Sequence, residues 1–377
     1  MKNKKIIFLT GTRADFGKIK SLLRIVIKED NFHVYLFVTG MHLQKKYGYT
    51  IEEIKNEFNS NIHLFSNTTS ESTMDLTLSK TIRGFSQYVN EIKPDMIVVH
   101  GDRPEALSGA IVGSFNNILV SHIEGGELSG TIDESIRHSV SKLSHLHFVS
   151  NQDSKKRLMK MGESEEKVFV IGSPDIDLMN SKKLPSIQKV RAHYGFDFQK
   201  FSILLFHPVT TEIKDVDNQI NSILNSLVKS KTNCIVIYPN NDPGSRKIIS
   251  IYKSRLKTNK KFKVFPSIRF EYFLTLLKHT DFLIGNSSAG VRETPYYGIP
   301  SINIGSRQNS RNPNAESIIN CDFNGSNIFK AITKIKKLKP KPQVQYGKGN
   351  SDLMFLDILK RNQTWEVNIQ KIFNDTY

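Results

Sequence analysis

Cysteine is scarce: Cys234 and Cys321 are the two among 377 residues, and they stand far apart with no metal-binding spacing. That excludes a disulfide framework and a cysteine-based zinc module. Long apolar runs are absent as well, none reaching the roughly 20 residues that a membrane-spanning helix needs, which excludes a bundle of membrane helices. The amino terminus has the basic flank of a signal peptide, but the run Ile6 to Leu9 is short and leads into Gly11-Thr12-Arg13 instead of a small-residue cleavage site. It reads as a buried first strand, and the expected location is the cytoplasm. Acidic residues are in deficit, 36 against 53 basic, for a formal net charge of +17. Such a balance suits nucleic acid, an anionic membrane surface or anionic small substrates. No aromatic-interleaved basic motif, zinc finger or leucine zipper accompanies the charge, which argues against nucleic acid. Much of the basic density lies in Lys330 to Lys341, read as a solvated helix end that runs into a stiff Pro340/Pro342 linker.

Three motifs are also missing. No Gly-x-Gly-x-x-Gly follows the first strand, which disfavours NAD. There is no Gly-x-Ser-x-Gly elbow for a serine hydrolase. His122, His138, His145 and His147 lie near one another in sequence but in no His-Glu-x-x-His arrangement, so neither a metal nor a cofactor is expected.

At about 150 residues per domain the length predicts two domains. Short β-rich apolar runs alternate with longer segments of helical period, the pattern of parallel sheets flanked by helices. The expected strands are 6–10, 34–38, 96–100, 118–123, 147–150 and 168–171, then 202–206, 234–238, 263–265, 282–284 and 301–304. The turn-rich interval from Ser173-Pro174 to Leu184-Pro185 separates the two series. The expected domains are therefore residues 1–172 and 173–354, with a terminal helix at about 355–377 that packs back on the first. The Ser/Thr-rich segment Ser66 to Lys80 reads either as a mobile loop or as an irregular helix entry.

In open α/β sheets the ligand crevice lies at the carboxyl ends of the strands, and polar clusters fall there in both series. Asp102 follows Val98-Val99-His100-Gly101 and Glu124 follows Val120-Ser121-His122-Ile123, so both carboxylates leave strand ends. Asp133 lies in Thr131-Ile-Asp-Glu134, a capping-box pattern that puts it in a helical first turn. Three convergent carboxylates can divide proton removal, proton donation and water activation. Helix capping for Asp133 and a turn for Asp102 are the plainer alternatives, and Glu124 is the hardest of the three to explain structurally. In Gly285-Asn-Ser-Ser-Ala-Gly290, Ser287 and Ser288 precede an expected helix, and Glu293 follows. This can be a diphosphate-nucleoside cradle or simple helix capping. Arg13 can clamp phosphate or uracil, or form an ion pair. His207, ending Leu204-Leu-Phe-His, can hydrogen-bond a leaving diphosphate or be an ordinary satisfied polar group.

Taken in order, Gly11-Thr-Arg-Ala-Asp15, Thr39-Gly-Met-His42, Gly101-Asp-Arg103, His122-Ile-Glu-Gly-Gly-Glu127 and Asp133-Glu-Ser-Ile-Arg-His138 resemble the hydrolysing UDP-N-acetylglucosamine 2-epimerase family of the sialic-acid pathway. Phe206-His-Pro-Val-Thr-Thr-Glu212, Gly285 to Gly290 and Gly305-Ser-Arg-Gln308 extend the resemblance over nearly the whole chain. It implies a glycosyltransferase-B-like pair of Rossmann-like doubly wound domains, with a UDP-sugar bound in the cleft between them. It further implies Asp102, Glu124 and Asp133 as catalytic carboxylates, and Arg13, His207, Ser287, Ser288, Glu293 and Arg307 as UDP contacts. A homodimer or homotetramer, without nucleic-acid or membrane partners, is also implied. Non-hydrolysing relatives usually continue Gly-Thr-Arg with Pro-Glu; Ala14-Asp15 here favours the hydrolysing branch. The expected reaction turns UDP-N-acetylglucosamine and water into N-acetylmannosamine and UDP. The nearest alternative is the same reaction on UDP-N,N'-diacetylbacillosamine. A glycosyltransferase of the same fold and a non-enzymatic basic binding protein follow.

Overall fold

The computed structural model describes residues 3–58, 60–67, 73–308, 311, 316–372 and 374–375. The chain forms two units: residues 1–127, 133–182 and 346–377 make the first, and residues 128–132 with 183–345 make the second. The boundary expected at 172/173 falls instead at 182/183. The cause is the helix Pro174–Met179, which is tied to the first unit by Lys18 Nζ on Asp175 Oδ2 at 2.8 Å and by Ser21 Oγ donating to the Pro174 carbonyl at 3.2 Å.

The first unit is a seven-stranded parallel sheet. Its strands are β1 Lys4–Thr10, β2 Phe32–Val38, β3 Ile62–Leu64, β4 Met96–His100, β5 Leu119–Ile123, β6 Leu146–Val149 and β7 Val168–Val170, in the order β3-β2-β1-β4-β5-β6-β7. Both faces are covered, as a parallel sheet requires. Ile6 and Phe8 of β1 enter one core with Phe16, Leu22, Val98 and Phe148, while Ile7 and Leu9 enter the other with Phe37, Phe85, Val99 and Val140. Gly109 permits the helix Pro104–Phe115 to lie close against β4, where a Cβ would stand 2.5 Å from Val99 Cγ1. The chain returns to this unit through the helix Ser351–Leu359, which places Phe355 and Leu359 in the first core with no exposure. Trp365 follows, stacking on Phe32 with ring centroids 6.0 Å apart.

The second unit is a six-stranded parallel sheet of β8 Ser202–Leu205, β9 Cys234–Ile237, β10 Phe262–Phe265, β11 Phe282–Gly285, β12 Ser301–Ile304 and β13 Ile318–Cys321, in the order β10-β9-β8-β11-β12-β13. Leu204, Val236, Phe282, Ile284 and Ile302 bury one face against the helices Val216–Lys229 and Gly325–Ile335. The short segment 128–132 belongs here: Gly130 N–H donates to the Arg307 carbonyl at 3.1 Å.

Both sheets are doubly wound, and in both the chain reverses direction at the central pair, β1/β4 in one and β8/β11 in the other. At such a switch point the carboxyl ends of adjacent strands diverge and leave room for a ligand. Of the segment Ser66 to Lys80, residues 68–72 lie outside the described residues, and Met74 onward is the first part of a 19-residue helix, Met74–Ile92. Among the described residues no helix is long and apolar enough to cross a membrane.

Candidate active site

In the first unit, β4 and β5 are adjacent, with His100 paired in register with Ile123. The residues that follow them therefore emerge side by side. Asp102 and Glu124 are joined through Arg137 of the helix Ile132–Leu143: its Nη2 donates to Asp102 Oδ2 and its Nη1 donates to the Glu124 carbonyl at 2.7 Å. Asp133 lies in the first turn of that helix, buried, where the dipole favours its ionised form. Asp102 thus lies just past β4, Glu124 just past β5, and Asp133 in the helix that follows.

Glu124 is conformationally unusual. Its φ of 61° is left-handed, which costs a residue with a Cβ roughly 1–2 kcal/mol. Several hydrogen bonds offset that cost: its N–H donates to the Phe148 carbonyl at 2.9 Å, and its carbonyl accepts from Arg137. The residue is 2% exposed. Ser173 Oγ donates to Oε1, while Oε2 meets His100 Nε2 at 3.1 Å and Lys18 Nζ at 3.6 Å. Behind them, Asp15 Oδ1 holds His100 Nδ1 at 2.9 Å, and Asp175 Oδ2 holds Lys18 at 2.8 Å. Burial opposes a charge on His100, but the hydrogen bonds to Asp15 and Glu124 outweigh it and push its pKa up to about 9. The neighbouring His122 goes the other way. Burial lowers its pKa well below the ordinary value, and its ring nitrogens are taken up by the Gly101 carbonyl at 2.8 Å and Ser141 Oγ at 3.0 Å.

Arg13 opens the helix Arg13–Val26 and pairs with Glu53 of the helix Ile51–Glu57 at 2.9 Å. The side chain is largely buried in this ion pair.

The second unit builds the ends of β8 and β11 around an amide clasp. Asn286 and His207 clasp each other: His207 N–H donates to Asn286 Oδ1 at 2.7 Å and Asn286 Nδ2 donates back to the His207 carbonyl at 2.8 Å. His207 Nδ1 accepts from the Asn240 N–H at 3.1 Å, which assigns the ring proton to Nε2 and makes that nitrogen a donor. Arg307 Nη1 and Gln308 Nε2 both donate to the Asn286 carbonyl, at 3.2 and 3.0 Å. Gly285 is indispensable to this turn, with φ 136° and no room for a Cβ, which would stand 2.1 Å from the Leu205 carbonyl oxygen.

The helix expected directly after Ser288 is not formed. A single 3-10 turn, Ser288–Gly290, is capped by Ser287 Oγ accepting from Ala289 N–H at 3.3 Å. A five-residue helix, Glu293–Tyr297, follows after Arg292 departs to φ −116°, ψ −63°, and ends at left-handed Gly298. The dipole of a long helix is therefore unavailable at Ser288. What stands there is the Ser287 and Ser288 hydroxyls, backbone and Glu293, which is 4% exposed. Ser287, Ser288, Glu293, His207 and Arg307 all lie at the carboxyl ends of β8, β11 and β12. Among the described residues, no group of three or more His, Cys, Asp or Glu is arranged to hold a metal ion.

Sequence reasoning did not single out His100, Lys18, Ser173 or Asp175 as parts of the site. His100 was readable only as the last residue of a strand, Lys18 only as part of an amphipathic helix. Asp175 lies in the stretch taken for an interdomain connection.

Comparison with known proteins matches residues 25–360 to the family described as UDP-N-acetylglucosamine 2-epimerase. A UDP-N-acetylglucosamine 2-epimerase of Neisseria meningitidis serogroup B is 46% identical over 377 residues, covering 99% of each chain. A hydrolysing UDP-N,N'-diacetylbacillosamine 2-epimerase of Legionella pneumophila is 33% identical over 93% of this chain and 92% of its own. Among solved structures, the Methanocaldococcus jannaschii UDP-GlcNAc 2-epimerase in complex with UDP-GlcNAc and UDP superposes with a TM-score of 0.81 at 22% identity, over 94% of this chain and 99% of that one. That superposition shows the two-domain α/β, glycosyltransferase-B-like fold. With the family model spanning most of the chain and the Neisseria relative nearly half identical end to end, the protein belongs to the UDP-N-acetylglucosamine 2-epimerase family.

Proposed function

We propose that the protein is a hydrolysing 2-epimerase that converts UDP-N-acetylglucosamine and water to N-acetylmannosamine and UDP. The observation that carries this reading is Glu124, held buried and left-handed at the end of β5, with Asp102 fastened beside it by Arg137. A buried carboxylate in a disfavoured backbone conformation, kept there by surrounding bonds, marks a functional position.

The chemistry follows from the substrate. C2–H of a ring hexosamine has no neighbouring carbonyl and is hard to remove until the anomeric C–O bond begins to break. As that bond cleaves, its electron pair leaves with UDP, C1 becomes oxocarbenium-like and C2–H becomes acidic. A carboxylate takes the proton, and the C1=C2 double bond of 2-acetamidoglucal forms. Water then adds its oxygen to C1, giving up a proton to a carboxylate, while another carboxylate protonates C2 on the opposite face. One water is consumed, and two proton transfers on opposite faces plus water activation account for three acidic groups. Asp102, Glu124 and Asp133 are assigned to them. The departing diphosphate gains negative charge, and the His207 Nε2–H donor, the Ser287 and Ser288 hydroxyls, Arg307 and Arg13 are assigned to stabilise it, with Glu293 accepting from the ribose. The Ala14-Asp15 pair supports the hydrolysing branch, as does the hydrolysing Legionella relative.

That relative also favours a second reading, the same elimination on UDP-N,N'-diacetylbacillosamine. A side-by-side turnover assay with the two nucleotides separates them: faster UDP release from UDP-N-acetylglucosamine is expected, and a preference for the diacetylbacillosamine nucleotide would reverse the assignment.

A further inference from the structure

Five charged groups, with Glu124 at their centre, alternate in sign. Asp15, His100, Glu124, Lys18 and Asp175 succeed one another at 2.9, 3.1, 3.6 and 2.8 Å, and each is at most 9% exposed. A buried carboxylate without partners would take up a proton, because burial penalises charge. The cations at Oε2 prevent that, but a buried histidine is a cation only if something holds its proton. Asp15 does so, itself fixed by the Gly11 N–H donating to Oδ2 at 3.0 Å and by its own N–H donating to Thr12 Oγ1 at 3.1 Å.

We propose that Asp15 and His100 form a positioning couple for Glu124: Asp15 keeps the imidazole doubly protonated, and the imidazolium in turn keeps the Glu124 carboxylate ionised and oriented for the reaction. The role is one of positioning, since both residues act through Glu124. It rests on the epimerase reading above. Among the described residues, the other charged or titratable groups facing this site include Lys18 with Asp175, Arg137 with Asp102, His122 and, beside Asp15, Arg13 and His42, the histidine with its pKa lowered by burial to about 3. Lys18 reinforces Glu124 at Oε2, the same oxygen that His100 meets. Arg137 engages the Glu124 carbonyl and Asp102, leaving the His100 contact alone. His122 stays neutral and adds no competing charge. The couple therefore has one titrating member above neutrality, His100, which loses its proton near pH 9.

The test is the pH dependence of kcat for the full-length protein and for Asp15→Asn, over about pH 6 to 10. With the unaltered protein kcat is expected to fall above about 9. In Asp15→Asn one of the two carboxylates holding the imidazolium is gone, so the descending limb should move down by about one unit or more. The UDP dissociation constant should stay within about twofold, because the UDP contacts other than Arg13 belong to the second unit. A profile that superimposes on that of the unaltered protein, at whatever height, overturns the proposal. If the variant fails to fold, nitrogen-15 NMR of histidine-labelled unaltered protein decides: one imidazole still doubly protonated at about pH 8 is expected, and its absence overturns the couple. The NMR result does not depend on turnover. A protein that releases no UDP from either nucleotide would contradict the epimerase reading while the histidine titration still judged the couple.

Discussion

The two sheets present their strand ends in different chemical styles. At the ends of β4 and β5 the first unit gathers formal charges: Asp102 on Arg137, and Glu124 between His100 and Lys18. At the ends of β8 and β11 the second unit relies on an amide clasp, a neutral imidazole with its proton on Nε2, and two serines. The same doubly wound topology, with strand order 3-2-1-4-5-6-7 in one sheet and 3-2-1-4-5-6 in the other, carries two differently built sets of strand-end residues; in the proposed reaction the first would move protons and the second would hold an anion. Charge that must change hands during a reaction needs carboxylates whose pKa values are set by neighbours. A ligand that must bind and depart needs donors that do not titrate in the working range. The division also shows why the fold alone does not assign function: the residues at the strand ends do.

Substitutions should separate the two sites cleanly. The largest effect is expected from Glu124→Gln, which removes a proton-transfer group and should lower kcat by about 10²–10⁴-fold while UDP binding by calorimetry stays nearly intact. Loss of UDP binding in this variant and in Asp102→Asn alike would break the division. Next, the returning helix contributes its fully buried Phe355 to the first unit alone. Phe355→Ala should cost that unit about 3–5 kcal/mol, read as a lowered midpoint in denaturant unfolding, with UDP affinity of the remaining folded protein unchanged; an unchanged midpoint would contradict this packing.

A smaller effect attends Glu163, also in the first unit. Lys142 pairs with it at 3.0 Å; burial alone would raise its pKa, but His147 Nε2 at 3.0 Å and Lys371 at 2.7 Å bring it down from 4.5 to about 2. A lowered folded-state pKa means stability that is present above about 4.5 and lost as pH falls toward 2. The shift corresponds to at most about 3 kcal/mol. Glu163→Gln should therefore be less stable at neutral pH, with the gap to the unaltered protein closing between those values; a constant gap would remove the electrostatic explanation. The smallest effect is expected in the second unit. Ser288→Ala with Glu293→Ala should weaken UDP binding by about tenfold with kcat at saturation little changed. An unchanged dissociation constant would take these residues out of the cradle.

Most of the sheet architecture was legible because parallel strands buried on both faces read as short apolar runs; Met96–His100 and Ser301–Ile304 fall at the expected positions. The strands that were not read, Ile62–Leu64 and Ile318–Cys321, are both edge strands. An edge strand can leave part of its surface to solvent, as the exposed Leu64 does, and its run is then short and mixed. In the site, the carboxylates stood out because a charged residue directly after an apolar strand has few structural explanations. Glu124, the least explicable of them, proves to carry the left-handed backbone. Its partners were not legible for the opposite reason: His100, Lys18 and Asp175 come from a strand, a helix face and a connection distant in sequence, and only the fold makes them a chain of charges. The helix expected at Ser288 failed because Gly290, Arg292 and Gly298 break what small residues before Glu293 suggested.

The central claim is an elimination that leaves UDP and returns a proton to C2 from solvent on the opposite face. Proton NMR of the protein with UDP-N-acetylglucosamine in deuterated water tests it directly. UDP release together with free N-acetylmannosamine carrying deuterium at C2 is the predicted result. Release of UDP with unepimerised N-acetylglucosamine that retains its C2 proton would contradict the account.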